Sequence, residues 1–319
     1  MQLTGFHHLT AVTADAARNH SFYTQTLGLR LVKKTVNQDD TSAYHLFYAD
    51  GDASPGTDIT FFDWPAPRER RGARSVVSTG LRVGGEASLA WWQTRLGTLG
   101  VKHAPITRRD GRAVLDLEDP EGQRLSLVAD DTPVIPHRWK KSPVRAEHQI
   151  TGLGPIAMSV PALAPTERVL TQLMNMKRVR DYAWPQDGVD REAHVFQMGA
   201  DGPQAELHVL VEPGAAPARP GAGGVHHVAF RTPDRVQHDA WAARLAEAGA
   251  HAHGPIDRFY FRSLYFREPG GVLFEIATDG PGFGADEPMD ALGEKLALPP
   301  FLEPQRAEIE RGLKPLVTR

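Results

Sequence analysis

One pattern unit recurs along this 319-residue chain, and that recurrence limits the fold more than any single motif. It is clearest near the two ends. Residues 5–10 read GFHHLT and residues 224–229 read GVHHVA. An Asp follows the second His of each pair by seven residues, Asp15 and Asp234. Each Asp opens a helix-like stretch that closes on glycine: DAARNHSFYTQTLG ends at Gly28, DRVQHDAWAARLAEAG at Gly249. An Asp N-cap and a Gly just past the last turn are the expected start and stop signals. β-like segments follow, then a Gly turn and a last strand, SPGTDITFF (54–62) and EPGGVLFEIA (268–277).

Two weaker copies lie between. In 75–128, SVVSTGLRV leads to a helix around LAWWQTRLGTLG, a DPEG turn and the strand QRLSLV. In 150–212, ITGLGPIAMSV leads to a helix around TERVLTQLM, a GADG turn and AELHVLVEP. The chain therefore predicts an α+β fold of four βαβββ units, a period long enough to be a supersecondary module. Pro- and charge-rich stretches at 63–74, 131–148 and 212–224 separate the units. The middle one is the natural boundary. It divides the chain into 1–140 (units one and two) and 141–279 (units three and four), with 280–319 as an appended tail. The sequence leaves open whether that tail is a lid over a cavity or an interface in a homo-oligomer.

Composition removes several classes of function. The formal net charge is −3, which recommends no nucleic-acid or anionic-membrane partner. No apolar run reaches 18 residues, and the N-terminus MQLTGFHH lacks a signal-peptide pattern, so a cytoplasmic location is expected. There is no Cys, which excludes disulfides, thiolate nucleophiles and iron–sulfur ligation. Any metal must be held by His and carboxylate.

Overlaying the units on their final Gly turn asks which residues could do that. Four residues after the turn glycine stand Thr60, Ser126, Glu206 and Glu275 in chain order. At the head of the first strand, units one and four carry His pairs. Unit two has Thr79 or Gly80 there, and unit three Gly154 or Pro155. Joining units one and four gives one His from each pair, Glu275 and Thr60; Thr60 is a poor ligand. Two imidazoles and one carboxylate suit non-haem Fe(II), with Mn(II) the alternative; zinc hydrolases can use the same ligand types. The His lie on strands, not on an HExxH helix, against a metalloprotease. Glu206 and His208 lack a His partner in slot and read as structural. Strand neighbours face opposite sides, so one His of each pair should point away, and spacing does not say which.

GFHHLTAVT, FYTQTLGLRLVKKTVN, YHLFYADGDASPGTDITFF, GVHHVAF and REPGGVLFEIATD together resemble the vicinal oxygen chelate superfamily, and within it the hydroquinone type of ring-cleaving dioxygenase. The similarity spans nearly the whole chain, tail included. It implies Fe(II) bound by the second His of each pair, His8 and His227, with Glu275. It also implies His7, His226, Thr10, Arg258 and Tyr265 beside the metal as catalytic groups, with a small aromatic diol and O2 as substrates. A His or Tyr there can move the phenolic proton, and an Arg can offset developing negative charge. The plain alternative for Arg258 is a surface ion pair, and for Tyr265 a half-buried strand aromatic. Trp91 and Trp92 read as packing, RERR (68–71) as a solvated linker, and His45 and Tyr48 as cavity lining or core filling. Competing functions within the superfamily are a glyoxalase- or thiol-transferase-type metalloenzyme, against which Thr60 counts, and a metal-free drug-binding resistance protein. An extradiol catechol dioxygenase of the two-domain type would keep its metal within the C-terminal pair of units. Here one His pair lies in the first.

Overall fold

The computed structural model describes residues 1–132, 137–186, 189–199 and 201–318. All four units fold as βαβββ. The first comprises β1 (Phe6–Thr13), α1 (Ala16–Ser21, continued by a π turn over Phe22–Thr26), β2 (Arg30–Asn37), β3 (Asp40–Ala49) and β4 (Asp58–Asp63). The second comprises β5 (Ser75–Val83), α2 (Gly85–Thr98), β6 (Thr107–Arg109), β7 (Arg112–Glu118) and β8 (Arg124–Ala129). The third runs β9 (Gly152–Val160), α3 (Leu163–Arg168), β10 (Lys177–Gln186), β11 (Val189–Gln197) and β12 (Glu206–Val211). The fourth runs β13 (Val225–Thr232), α4 (Arg235–Glu247), β14 (Ala252–Asp257), β15 (Arg262–Arg267) and β16 (Leu273–Thr278).

The local signals act as their chemistry requires. Asp15 accepts a hydrogen bond from the Arg18 amide at 3.0 Å, and Asp234 from the Gln237 amide at 2.8 Å. Each cap satisfies an amide that the first helical turn leaves without a partner. The turn glycines Gly56 and Gly271 sit at φ 91° and 107°, where a side chain would be strained.

The units do not pair in chain order. One eight-stranded sheet runs β14-β15-β16-β13-β1-β4-β3-β2 and joins the fourth unit to the first. The other runs β10-β11-β12-β9-β5-β8-β7-β6 and joins the third to the second. A division of the chain at residue 140 therefore separates strands that the sheets join. The seam of the first sheet is the antiparallel pair β1–β13, which sets Thr10 opposite His227 and His8 opposite Ala229.

One face of each sheet is the core. Leu9, Ala11, Val228, Phe230, Phe274 and Ile276 are fully buried there, with Trp241 and Leu245 of α4 in the same cluster. The tail closes an edge. Ala297 donates to the Lys34 carbonyl beside a parallel bridge Lys34–Leu296, so the tail covers edge strand β2. Lys33 on β2 is fully buried, with Nζ 2.7 Å from Asp286 and donating also to Glu287 and, at 3.1 Å, to the Phe283 carbonyl. Helix α5 (Arg306–Gly312) adds Ile309 to the core. No helix among the described residues is long and apolar enough to cross a membrane.

Candidate metal centre and its cavity

Three acceptor atoms converge on the other face of the first sheet. His8 comes from β1, His227 from β13 and Glu275 from β16, and all three are buried. The parallel register sets Glu275 beside Ala229, two residues past His227, and Thr60 beside Thr10, two past His8. The two Nε2 atoms are 3.2 Å apart, and Glu275 Oε2 lies 3.1 Å from His8 Nε2 and 2.9 Å from His227 Nε2. Neither carboxylate oxygen finds a well-aligned hydrogen-bond donor among the described residues. Burial alone would raise the Glu275 carboxyl, but the two imidazoles hold it well below the usual carboxylate range. A buried carboxylate and two imidazole nitrogens this close, with no well-aligned hydrogen bond to the carboxylate, are costly unless protons or a cation sit among them.

The spacing tests the fit of a metal. Donor atoms about 2.1 Å from an ion and at right angles would lie about 3.0 Å apart; at tetrahedral angles the spacing is about 3.4 Å. The observed 2.9–3.2 Å matches one face of an octahedron. The residues fit a divalent cation with open positions.

Strand alternation alone would turn the first His of each pair away, and the structure departs from that. The register between β1 and β13 slips between Phe6 and His8, and again between Thr10 and Ala11, opposite His226. Each slip is a β-bulge at the first His of a pair, and a bulge re-aims side chains. His7 Nδ1 consequently lies 2.8 Å from His8 Nδ1, and His226 Nδ1 lies 2.8 Å from His227 Nδ1. A proton on the ligand's Nδ1 leaves its Nε2 lone pair for the metal, the orienting role that outer partners play. His7 is buried, with the Thr278 carbonyl as a further partner; burial and neighbouring His8 push its pKa down to about 3. A signal for these bulges does stand in the sequence. Phe6 and Leu9 share the core face at a spacing of three, as do Val225 and Val228, where an unbroken strand would space them by two.

A cavity of about 440 Å³ opens over the trio. His226, Arg258 and Tyr265 line it together with His8 and His227. His7 and Thr10 stand behind the wall instead. Thr10 is fully buried and bonds the Thr60 hydroxyl at 2.8 Å, so Thr60 is engaged away from the fourth slot. Tyr265 faces Glu275 across β15–β16, with its ring 5.5 Å from that of His227. Burial, then the Glu275 charge, raises the Tyr265 hydroxyl well above its ordinary value, so it stays protonated. Arg258 is clamped by Asp39, with hydrogen bonds of 3.0 and 2.7 Å, and its guanidinium lies 5.8 Å over the Tyr265 ring.

Sequence reasoning missed several wall residues. Phe261 packs its ring 5.2 Å from those of both His7 and His8. Phe62, Trp64 and Tyr260 line the cavity as well, and no spacing rule marked them. His45 lines the cavity, whereas Tyr48 is core, stacked on Tyr23. Trp92 is fully buried and Trp91 stacks on His148, as packing residues do.

Comparison with known proteins identifies the family. The model of the Glyoxalase/Bleomycin resistance protein/Dioxygenase superfamily matches residues 5–127 and 152–276. The chain belongs to that superfamily. It is 43% identical, over 99% of this chain and 100% of the relative, to "Putative ring-cleaving dioxygenase MhqA" of Bacillus subtilis. It is 30% identical, over 98% of this chain and 96% of the relative, to the chlorohydroquinone/hydroquinone 1,2-dioxygenase of Sphingobium indicum. A crystal structure described as a "putative dioxygenase" from Bacillus subtilis superposes with a TM-score of 0.90 at 34% identity, covering 100% of this chain and 99% of that one. The two matched segments each span two consecutive units, while the sheets pair the outer and the inner units.

Proposed function

We propose that this protein is an Fe(II)-dependent dioxygenase that opens the ring of a hydroquinone-type aromatic diol. The observation that carries the reading is the buried facial trio His8, His227 and Glu275 at the base of an aromatic-walled cavity. Relatives named as ring-cleaving and hydroquinone dioxygenases, aligned over almost the full chain, support it. Two His and one carboxylate with open positions is the ligand set of non-haem Fe(II) oxygenases; Mn(II) is the alternative ion. Iron held there would supply the redox link between an electron-rich ring and O2.

The chain's own residues do the rest. Phe47, Phe62, Trp64 and Phe261 give the ring flat apolar walls and keep water off it. His226 at the cavity wall is kept neutral by desolvation and then by His227, and with Nδ1 engaged by His227 it offers Nε2–H to the substrate oxygen. Tyr265 donates from its protonated hydroxyl, and Arg258, immobilised by Asp39, offsets negative charge built on the substrate. His7 and Thr10 act from behind the wall by holding His8 and Thr60.

Two observations favour this over the alternatives. A glyoxalase-type centre wants a fourth protein ligand, and Thr60 is tied to Thr10 and His45. A metal-free drug-binding protein has no use for a buried carboxylate without donors. The site draws on units one and four, so neither 1–140 nor 141–279 alone would hold it. The test is metal analysis of anaerobically purified protein, then O2 uptake with hydroquinone and catechol panels. Fe(II) restores activity to stripped protein and His227→Ala abolishes it. Full activity without metal, or no O2 consumption with any aromatic diol, would sink the proposal.

A further inference from the structure

Resting on that reading, we infer that His45 reads the second hydroxyl of the substrate and so selects a ring whose two hydroxyls lie far apart. His45 projects from β3 into the cavity that holds the trio, two strands from β1 across β4. Its ring is fixed on three sides. Phe47 and Phe62 flank it with centroids at 4.0 and 4.4 Å, and Nε2 lies 2.9 Å from the Thr60 hydroxyl. Thr60 in turn bonds Thr10 at 2.8 Å. His45 is assigned the tautomer in which Nε2–H donates to Thr60 and Thr60 donates to Thr10, which puts the lone pair of His45 on Nδ1. Among the described residues Nδ1 has no hydrogen-bond partner, so this pre-oriented acceptor is left for a ligand.

Thr35, also on the wall, keeps a buried hydroxyl without a well-aligned partner among the described residues, but the acidic and amide groups beside it are engaged. Asp39 holds Arg258, Gln38 donates to the Arg258 carbonyl at 2.8 Å, and Asn37 accepts from the Asp39 amide at 2.9 Å. Asp40 accepts from Ser42. His253 also lines the cavity, but it is exposed and its ring has no hydrogen-bond partner among the described residues. A 1,2-diol can bring both oxygens to one metal and needs no acceptor on the far wall. A 1,4-diol brings only one, and its other O–H must find a partner or stay buried without one. His45 Nδ1 supplies that partner. No covalent step is involved: the substrate hydroxyl donates and His45 accepts.

The test is calorimetric binding to the iron-loaded protein under nitrogen, with hydroquinone and 4-methoxyphenol as probes. The ether keeps the ring and one hydroxyl but lacks the second O–H. Wild type is expected to bind hydroquinone roughly ten-fold more tightly, the worth of about one neutral hydrogen bond. His45→Phe, which suits the Phe47–Phe62 sandwich, removes that preference. His45→Asn, which keeps an acceptor oxygen near the place of Nδ1, retains most of it. An unchanged preference in His45→Phe overturns this inference alone. Failure of wild type to bind either probe overturns the proposed function with it.

Discussion

The two sheets follow one plan and hold opposite chemistry at their centres. In the first, the register places His8, Thr60, His227 and Glu275 at four equivalent slots. The same register in the second places Ser78, Ser126, Pro155 and His208 there. His208, not Glu206, stands where Glu275 stands, because a 3-10 turn at Pro203–Ala205 lengthens the path from the Gly202 turn. Likewise Ser78, not Thr79 or Gly80, matches His8. The second sheet still gathers Asp110, Glu206 and His208 within reach of a common ion. Yet cations already occupy that place: Arg112 and Arg180 bind Glu206 at 2.7 and 2.8 Å, and Arg180 also pairs with Asp110. Glu206 is pulled far below the ordinary carboxylate range; burial opposes this, but His208 and the two arginines outweigh it. What separates the proposed metal centre from a structural ion cluster is the absence of a built-in cation at the trio among the described residues, more than the count of His and carboxylate.

That difference can be broken from either side. The largest effect falls on the trio. Glu275→Gln and His227→Ala are expected to lose bound iron and more than about a hundred-fold in kcat/KM, beyond the 10–100-fold typical of outer partners. His208→Ala should leave iron content unchanged, as plasma emission of the purified variants would show. Next comes the orienting pair. His7→Ala and His226→Ala are expected to weaken iron binding by roughly 10–100-fold, read by chelator competition. His226→Ala should in addition lower kcat, since only His226 of the two lines the cavity.

Smaller effects fall on the second sheet. Arg180→Leu strips one counter-charge from buried Glu206 and should cost about 1–3 kcal/mol in urea unfolding, discounted because Arg180 is itself a third exposed. The effect depends on pH with a fixed sign. Glu206 has a depressed folded pKa, so its contribution is fully present above its unfolded value of about 4.3. It falls away as the pH drops below that value toward the folded one. The stability gap between wild type and Glu206→Gln should therefore narrow on acidification below about pH 4. A gap that widens in acid contradicts the ion-cluster account of this sheet.

Much of this contrast was legible in the sequence, and its limits have physical causes. The βαβββ units were readable because caps and Gly turns are local, and Asp15, Asp234, Gly56 and Gly271 act within a few residues of themselves. Glu275 and the His pairs could be brought together because repeats must share a register. Strand partners are not local: the ligand pattern joined units one and four, yet the boundary at 140 still grouped the units in chain order, and the bulges that turn His7 and His226 stayed hidden. The clamp of Arg258 by Asp39 and the seat of Lys33 among Asp286 and Glu287 join residues more than two hundred positions apart. No periodicity encodes such pairs.

The central claim is that the first sheet's trio uses iron to place O2 into an aromatic diol. It is tested most directly by running iron-loaded protein with hydroquinone under ¹⁸O2 and weighing the ring-opened product. The account predicts that both atoms of one O2 appear in that product, and that Glu275→Gln yields none. Product carrying no label, or label incorporated equally well by metal-stripped protein, would contradict it.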